Sequence, residues 1–386
     1  MKNLIQNIPV KIRLLGLFSV ICLLFMGIIW LCEGQMKKEL YDQQMAERWS
    51  KEGNAAQISA FFSEDAVENV DYFRGIEQSV DKALQEASIV NENENARLWI
   101  DAVSKSGKIV LSSERGLVEL NALGVSGEFF QFHPQKIVTG SLFRPDSMMQ
   151  DGVVIDEETA WQLFGSSNVA GMQVMIGQVP HLVTGVIERA EGRLETAAGL
   201  EKSICYLSLE SLQNYGRTTG GFTYEIVMPN PVKNFAFNTM QTAVGKENEA
   251  VVLIENSTRF DLLPLLQVIQ DFGIRSMSFK EVIYPYWENI ARGQEDILAL
   301  LLILKCLLLT IPCIFAAAII IYLWKNRTWH LKQGIDWIQD KIYEVGSKRV
   351  QKKEDSHKKV QKQEEIENID MVQLEESKTV KEEEIT

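Results

Sequence analysis

The patterns in this sequence that could carry chemistry are a Ser-x-x-Lys pair, two isolated histidines and one lysine inside an apolar run. Ser79-Val80-Asp81-Lys82 has the spacing of a serine nucleophile and its lysine base. The pair lies mid-way along a predicted amphipathic helix, and no S-D-N or K-T-G accompanies it, so we interpret it as chance. G-x-x-x-x-G-K-[ST], H-E-x-x-H and G-x-S-x-G are also absent from the sequence. We therefore predict no catalytic residue, no cofactor and no enzymatic activity for this chain.

Metal, disulfide and nucleic-acid chemistry are also disfavoured. His133 and His181 have no carboxylate or cysteine cluster beside them in sequence, which favours surface or structural roles over metal binding. Four of the five cysteines lie in or beside two long apolar runs: Cys22, Cys32, Cys306 and Cys313. Only Cys205 lies between the runs, so no disulfide can form there and the fold must depend on its core. The net charge of −13 argues against a nucleic-acid partner.

The two apolar runs predict membrane spans. Residues 14–32 are 19 residues without a charge, about 28 Å of helix, which is enough to cross the hydrocarbon of a bilayer. The second run, residues 297–324, is interrupted by Lys305 and Pro312. The first run is long for a signal peptide, and Trp30-Leu31-Cys32-Glu33 is a poor cleavage site, so we predict an uncleaved anchor.

Lys305 is the candidate intramembrane functional residue, because a charge inside a span is costly. Two interpretations stay open. Its long stem can carry the ammonium toward the outer surface, near Glu33 or Asp296. Alternatively, the residue faces a partner or gates a movement.

Flanking charges predict the orientation. Each run has basic residues on the side nearer its chain terminus: Lys2, Lys11 and Arg13 precede the first run, and Lys325, Arg327 and Lys332 follow the second. Both termini are therefore expected to be cytoplasmic. The predicted order is a cytoplasmic amphipathic segment (1–13), transmembrane helix 1 (14–32), an extracytoplasmic domain with stalk helices (33–296), transmembrane helix 2 (297–324), a cytoplasmic amphipathic helix (325–346) and a disordered charged tail (347–386).

Two cytoplasmic segments are candidate partner interfaces. The first has aliphatic residues at near-helical spacing, including Ile5, Ile8 and Ile12, although incidental periodicity beside a span is an equal alternative. The second has a short heptad seam that includes Ile335, Ile338 and Ile342.

The outer segment predicts an α+β fold. Strand, helix and strand recur at 55–62, 65–87 and 98–103, and again at 222–228, 232–244 and 251–254. We predict one split β-α-β lobe with a second lobe, about 118–220, inserted into it. A helix at 261–272, ended by Gly273, and a strand at 274–278 follow. Gln35 to Glu52 form a polar stalk in which Met36, Leu40 and Met45 are too sparse for a buried face, and Phe279 to Gln294 form the partner stalk.

The clearest local pattern lies within the insertion, at residues 151–188. A strand at 152–155 leads to Asp156 as a helix N-cap, and Ala160, Leu163 and Phe164 form the buried stripe before Gly165 ends the helix. Two strands follow, joined by a turn at Gly177-Gln178.

These motifs resemble the MacB-like periplasmic core domain of ABC-transporter permeases of the MacB and FtsX class. The matching segments are Val153-Val154-Ile155-Asp156-Glu157, Ala160-Trp161-Gln162-Leu163-Phe164-Gly165, Gly171-Met172-Gln173-Val174 and Val183-Thr184-Gly185-Val186. They are packing motifs, so they indicate a fold rather than a reaction.

The resemblance implies a bacterial inner-membrane subunit that couples a partner ATPase to its external domain for export or mechanotransmission. It also implies an ABC-type ATPase partner and a second permease-like protein or a homo-oligomer, within the lipid bilayer. The family has three spans after its external domain, and this sequence has one predicted span there. A membrane sensor or scaffold with an external ligand- or partner-binding domain is the alternative, and neither substrate nor direction follows from the residues.

Overall fold

The computed structural model describes residues 9–90, 96–145, 148–246, 248–275, 283–325 and 341. The chain divides into two units: the described residues of 18–312 belong to the first, and the described residues of 1–17 and 313–386 belong to the second. In the described part of the second unit, Gly16 lies against the ring of Phe315, where a Cβ would come within 2.9 Å of the ring. The folded domain belongs to the first unit.

The helices and strands of the described residues follow the α+β class predicted from the sequence. The helices are α1 (Val10–Lys38), α2 (Met45–Trp49), α3 (Asp71–Glu86), α4 (Phe129–Phe132), α5 (Glu157–Phe164), α6 (Arg193–Ala197), α7 (Leu209–Tyr215), α8 (Phe235–Val244), α9 (Leu262–Arg275) and α10 (Tyr286–Lys325). The strands are β1 (Ala55–Phe62), β2 (Ile100–Ser113), β3 (Gly116–Gly127), β4 (Ile137–Gly140), β5 (Gly152–Asp156), β6 (Gln173–Ile176), β7 (Val179–Ile187), β8 (Ile204–Ser208), β9 (Arg217–Pro229) and β10 (Val251–Glu255).

Two helices, α1 and α10, are long and apolar enough to cross a membrane. They contain the predicted spans, and each helix extends beyond its span toward the folded domain. We call residues 33–49 the first stalk and residues 284–296 the second stalk. The first stalk was expected to lack a buried face, which is wrong, because Leu40 and Met45 are buried.

The strands form one ten-stranded sheet in the order β10-β1-β9-β2-β3-β8-β5-β7-β4, with β6 paired to β2 and β7. The long β2–β3 hairpin, paired from Ala102–Gly127 to Ser113–Gly116, connects the two lobes. The strands from the two flanks of the chain lie at one end of this order, and those of the inserted segment lie at the other. The boundaries of the insertion, about 118–220, stay a prediction.

The inner lobe packs α3 and α8 on strands β1, β9 and β10 around one core. Helix α3 buries the stripe Phe73, Ile76, Val80 and Leu84, as the periodicity predicted. The helix begins at Asp71 and not at residue 65, as was predicted. At its start, the Asn69 side chain accepts a hydrogen bond from the Asp71 amide at 3.0 Å. This local bond stabilises a turn in the preceding residues.

The outer lobe confirms the 151–188 pattern. Asp156 Oδ1 accepts the Thr159 amide at 2.8 Å, and Gly165 ends α5 with φ 74°. Leu163 is fully buried, and Phe164 is partly buried and packs against the same core. Gly185 lies against the neighbouring backbone, where a Cβ would lie 2.6 Å from the Ser141 carbonyl oxygen, so no side chain fits there.

Several elements were not predicted. Strand β3 was not identified, β2 and β9 are much longer than expected, and α9 continues through Gly273 to Arg275. An exposed glycine late in a helix costs only about 1 kcal/mol, which packing of the rest of α9 offsets. Residues 276–278 of the strand predicted at 274–278 lie outside the described residues.

We predict that Leu163→Ala destabilises the domain by about 2 to 5 kcal/mol, because it empties a fully buried site. Trp161→Ala is the matched control on the same helix, since Trp161 is 59% exposed and should change stability by roughly 0.5 kcal/mol or less. Thermal unfolding of the full chain in detergent micelles measures both. Equal losses in the two variants would contradict the packing of α5.

Candidate coupling site

Most of the site residues predicted from sequence lie outside the described part of the chain, namely Ile5, Ile8, Ile335, Ile338 and Ile342. Ile12 is described and is partly exposed on α1. The partner interfaces assigned to these residues therefore stay predictions.

Lys305 lies on α10, and its Nζ is 2.7 Å from Oε2 of Glu33 on α1. Glu33 is one of the two acids toward which the sequence directed its stem. The pair joins the two helices, with the lysine and glutamate side chains 22% and 11% exposed. An ion pair shielded from water is stronger than one on a surface, so it helps to fix the two helices together. A gating or partner-facing role for Lys305 stays a prediction.

His133 is fully buried between two carboxylates that are distant in sequence. Its Nδ1 is 2.9 Å from Oδ1 of Asp42 in the first stalk, and its Nε2 hydrogen bonds Oε2 of Glu225 on β9. An imidazole donates from both nitrogens only when it is protonated. The surface role considered for His133 is therefore wrong, and the structural alternative holds. His181 is also buried, with Nε2 3.2 Å from Ser211 Oγ.

A continuous series of side-chain hydrogen bonds runs from His133 toward the second stalk. Glu225 Oε1 accepts from Ser59 Oγ at 2.8 Å. Ser59 Oγ accepts from Asn256 Nδ2 at 2.7 Å, and Asn256 Oδ1 accepts from Arg259 Nη1 at 2.9 Å. We call these residues the buried polar chain: His133, Glu225, Ser59, Asn256 and Arg259. It crosses β9, β1 and the loop after β10.

Arg259 connects this chain to α10. Its guanidinium donates to both carboxylate oxygens of Glu288, at 2.9 and 3.1 Å, and to Oε1 of Glu295 at 2.7 Å. Glu288 also accepts from Arg292 at 2.8 Å. A buried guanidinium with two carboxylates is stable only while all partners stay in place, because losing one leaves an uncompensated charge. The start of α10 is thus fixed to the sheet.

The first stalk is fixed in the same region by bonds between side chains and backbone. Gln57 on β1 donates to the Asp42 carbonyl at 2.7 Å and accepts the Met45 amide at 2.9 Å. Gln43 donates to the Trp287 carbonyl at 3.3 Å, which joins the two stalks directly. The first stalk therefore contacts both the strand that carries Ser59 and the second stalk.

The environment of His133 shifts its acidity. Burial alone would lower the pKa of His133, but the charges of Glu225 and Asp42, and hydrogen bonds to both, outweigh it and raise the pKa from 6.5 to about 9. The imidazole is therefore charged at neutral pH. Arg48 of the first stalk also faces Asp42, and burial lowers its pKa against the opposing effect of Asp42 and Glu47.

These residues connect the sheet to the start of α10 through side-chain hydrogen bonds. Each residue of the buried polar chain has a hydrogen-bond partner. Within the described ranges, no group of three or more His, Cys, Asp or Glu is placed to hold a metal ion. Separating the buried charges at its end, on Arg259, Glu288 and Glu295, would cost several kcal/mol.

A cavity of about 510 Å³ lies beside this site, between both stalks and the outer lobe. Met36 and Asp42 line it from the first stalk, and Tyr286 and Ile290 from the second. On the outer lobe Arg189 closes one wall by donating to Asp156 at 2.8 Å. Any shift of either stalk changes the shape of this cavity.

Sequence reasoning missed the site because its bonded members are far apart in the chain; Ser59 and Asn256, for example, are 197 positions apart. One signal was available: Glu225 lies in the apolar run Phe222 to Met228, where an unpaired carboxylate would be too costly to bury. That placement required a basic partner somewhere in the fold. It did not identify His133, because only the paired strands bring the two together.

The fold and the site define a membrane-type protein with two helices able to cross a bilayer, and buried charges fix its sheet-rich α+β domain to the second of them. The chain belongs to the family with the MacB-like periplasmic core domain, whose model matches residues 41–244, just over half of the chain. Two candidate spans around such a domain fit an inner-membrane protein.

Among curated proteins, the chain is similar to the macrolide export ATP-binding/permease protein MacB of Pasteurella multocida, with 34% identity over 80 residues. It is also similar to the protein of the same name from Photorhabdus laumondii, with 25% identity over 169 residues. These alignments cover 20% and 41% of this chain, but only 12% and 26% of the relatives. The chain thus spans about a quarter or less of the length of these relatives.

Among solved structures, the chain is similar to the periplasmic region of MacB from Actinobacillus actinomycetemcomitans, with 16% identity and a TM-score of 0.35, over 56% of this chain and 92% of that one. The extracellular domain of the ABC-type transporter YknZ from Gram-positive bacteria gives 13% identity and a TM-score of 0.34, over 51% and 99%.

We predict that the stability of the domain falls as the pH rises through about 9, because His133 then loses its proton. The pKa is raised in the folded chain, so this contribution is fully present below pH 6.5 and is lost as the pH passes about 9. Its size is on the order of 3 kcal/mol. Thermal unfolding of the full chain in micelles, from about pH 6 to about pH 10, compares wild type with His133→Gln. The difference in melting temperature between wild type and His133→Gln should decrease at high pH. A difference that stays constant with pH would contradict the protonation assigned to His133.

Proposed function

We propose that this chain is the membrane subunit of an ABC-transporter-type complex, and that it passes movement between a partner ATPase and its external domain. The family supports the transporter class. The observation that supports coupling is the buried polar chain, because it connects the sheet to the start of α10 through an unbroken series of hydrogen bonds. The chain itself hydrolyses no nucleotide in this proposal.

The physical argument for coupling is stiffness. Arg259 holds two carboxylates of the second stalk while Asn256 holds it from the sheet side. If α10 tilted without the sheet, at least one of these charges would lose its partner, at a cost of about 3 to 5 kcal/mol. Moving the inner lobe together with the stalk avoids that cost. A tilt of the helix therefore becomes a displacement of the domain.

The orientation proposed is that of a bacterial inner-membrane protein with residues 33–296 outside and both termini in the cytoplasm, which the basic flanks support. An ABC-type ATPase would then dock on the segments around Ile5, Ile8 and Ile12 and around Ile335, Ile338 and Ile342. A second permease-like protein or a second copy of this chain would complete the complex in the bilayer.

The second candidate function is a sensor or scaffold. The cavity between the stalks and the outer lobe favours it, because a ligand or a peptide bound there would contact both stalks at once. In that case the signal would pass inward, from the domain to the spans. The partner recovered with the chain distinguishes the two functions, since an ATPase subunit supports transport and a signalling protein supports sensing.

We predict that the chain, solubilised gently from its native membrane, is recovered with an ATPase subunit, and that Ile335→Asp with Ile342→Asp releases it. Charges placed in an apolar seam oppose docking. Ile366→Asp with Ile369→Asp is the matched control, with the same substitutions in the charged tail. Identification of bound proteins by mass spectrometry is the readout. A lone monomer in the wild-type sample, or equal loss in both variants, would contradict the proposal.

A further inference from the structure

Helix α9 packs against the second candidate span. Its buried residues are Leu265 and Val268, and Leu265 shares one core cluster with Leu298 and Leu302 of α10. Both α10 residues belong to the apolar run of residues 297–324. Because α9 covers residues of the span itself, it must lie at the depth where the span enters the bilayer.

The start of α9 is also held beside the first span. Lys37, in the last turn of α1, donates to the carbonyl of Phe260 at 2.9 Å, two residues before α9 begins. Phe260 and Ile269 pack at the edge of the same cluster. Contacts with both candidate spans therefore fix the level of α9.

Much of the apolar surface of α9 has no protein cover. Leu262 is 60% exposed and Leu266 40% exposed, and both adjoin the buried stripe on the helix. Gln267 and Asp271 lie on the opposite side, at about 100° per residue of helical rotation. The helix is thus amphipathic, with an apolar arc much wider than its contact with α10 needs.

The surroundings of this arc indicate what covers it. Next to the residues that α9 covers, α10 leaves Leu300 56% exposed, with Ile303 and Leu304 also exposed. If α10 crosses the membrane, these residues face acyl chains, and the uncovered arc of α9 continues the same surface. A helix with one broad apolar face and a polar face suits the boundary between headgroups and hydrocarbon.

We infer that α9 is an interfacial helix, embedded in the leaflet on the domain's side with Leu262 and Leu266 among acyl chains and Gln267 and Asp271 toward water. The helix follows directly after the loop that carries Arg259. The connection between sheet and second stalk is thereby held at the bilayer surface as well as by its own ion pairs. This inference does not depend on an ATPase partner.

The test uses spin labels on the full chain in lipid nanodiscs, after replacement of its native cysteines. Leu262→Cys and Leu266→Cys carry labels on the apolar arc, and Gln267→Cys and Asp271→Cys carry labels on the polar side. Leu117→Cys is the matched control, because Leu117 is 70% exposed on the outer lobe, far along the sheet from the stalks. Collision with oxygen, which enriches in bilayers, is compared with collision with a water-soluble nickel complex.

Labels at 262 and 266 should collide several-fold more with oxygen than with nickel, whereas labels at 267, 271 and 117 should favour nickel. Nickel access at 262 and 266 equal to that at 117 would overturn the inference, because the face would then lie in water. Low collision with both reagents at 262 and 266 would also overturn it, because the face would then be covered by protein.

Discussion

The structure depends on the pairing of charges that it buries beneath the sheet. Arg259 and His133 are both removed from water, and each is tolerable only with carboxylates in contact, Glu288 and Glu295 for one and Asp42 and Glu225 for the other. These acids come from both stalks and from the sheet. Three parts of the chain must therefore be assembled together before any of the charges is satisfied.

This constraint explains the arrangement of the apolar cores. The inner and outer lobes each have a core of their own, while a third cluster, including Met45, Phe129, Val227 and Trp287, lies where both stalks meet the sheet. His133 lies against the rings of Phe129 and Trp287, at 4.6 and 4.2 Å between centroids. The third core excludes water from the charges, which strengthens their pairing.

The elements of the outer lobe at residues 151–188 and the two spans could be predicted well from the sequence, because their signals are local. Asp156 and Gly165 define α5 by capping, and long apolar runs define α1 and α10 by length. The β2–β3 hairpin could not be predicted in this way, because Lys105, Gly107 and Lys108 break the apolar alternation within the long strand β2. The coupling site was beyond local reasoning, because Asp42, His133 and Glu225 meet only after β9 pairs with β1 and the first stalk packs beneath them.

The central claim is that the buried polar chain transmits movement between the second stalk and the interior of the sheet. Hydrogen exchange of the full chain in nanodiscs tests it. Arg259→Met is compared with Arg292→Met, which removes a partly exposed partner of the same Glu288. The account predicts that Arg259→Met speeds exchange along β1, β9 and the segment around His133, and leaves β5 to β7 protected, while Arg292→Met changes only the start of α10. Faster exchange confined to residues 256–261 and the first turn of α10 in both variants would contradict it.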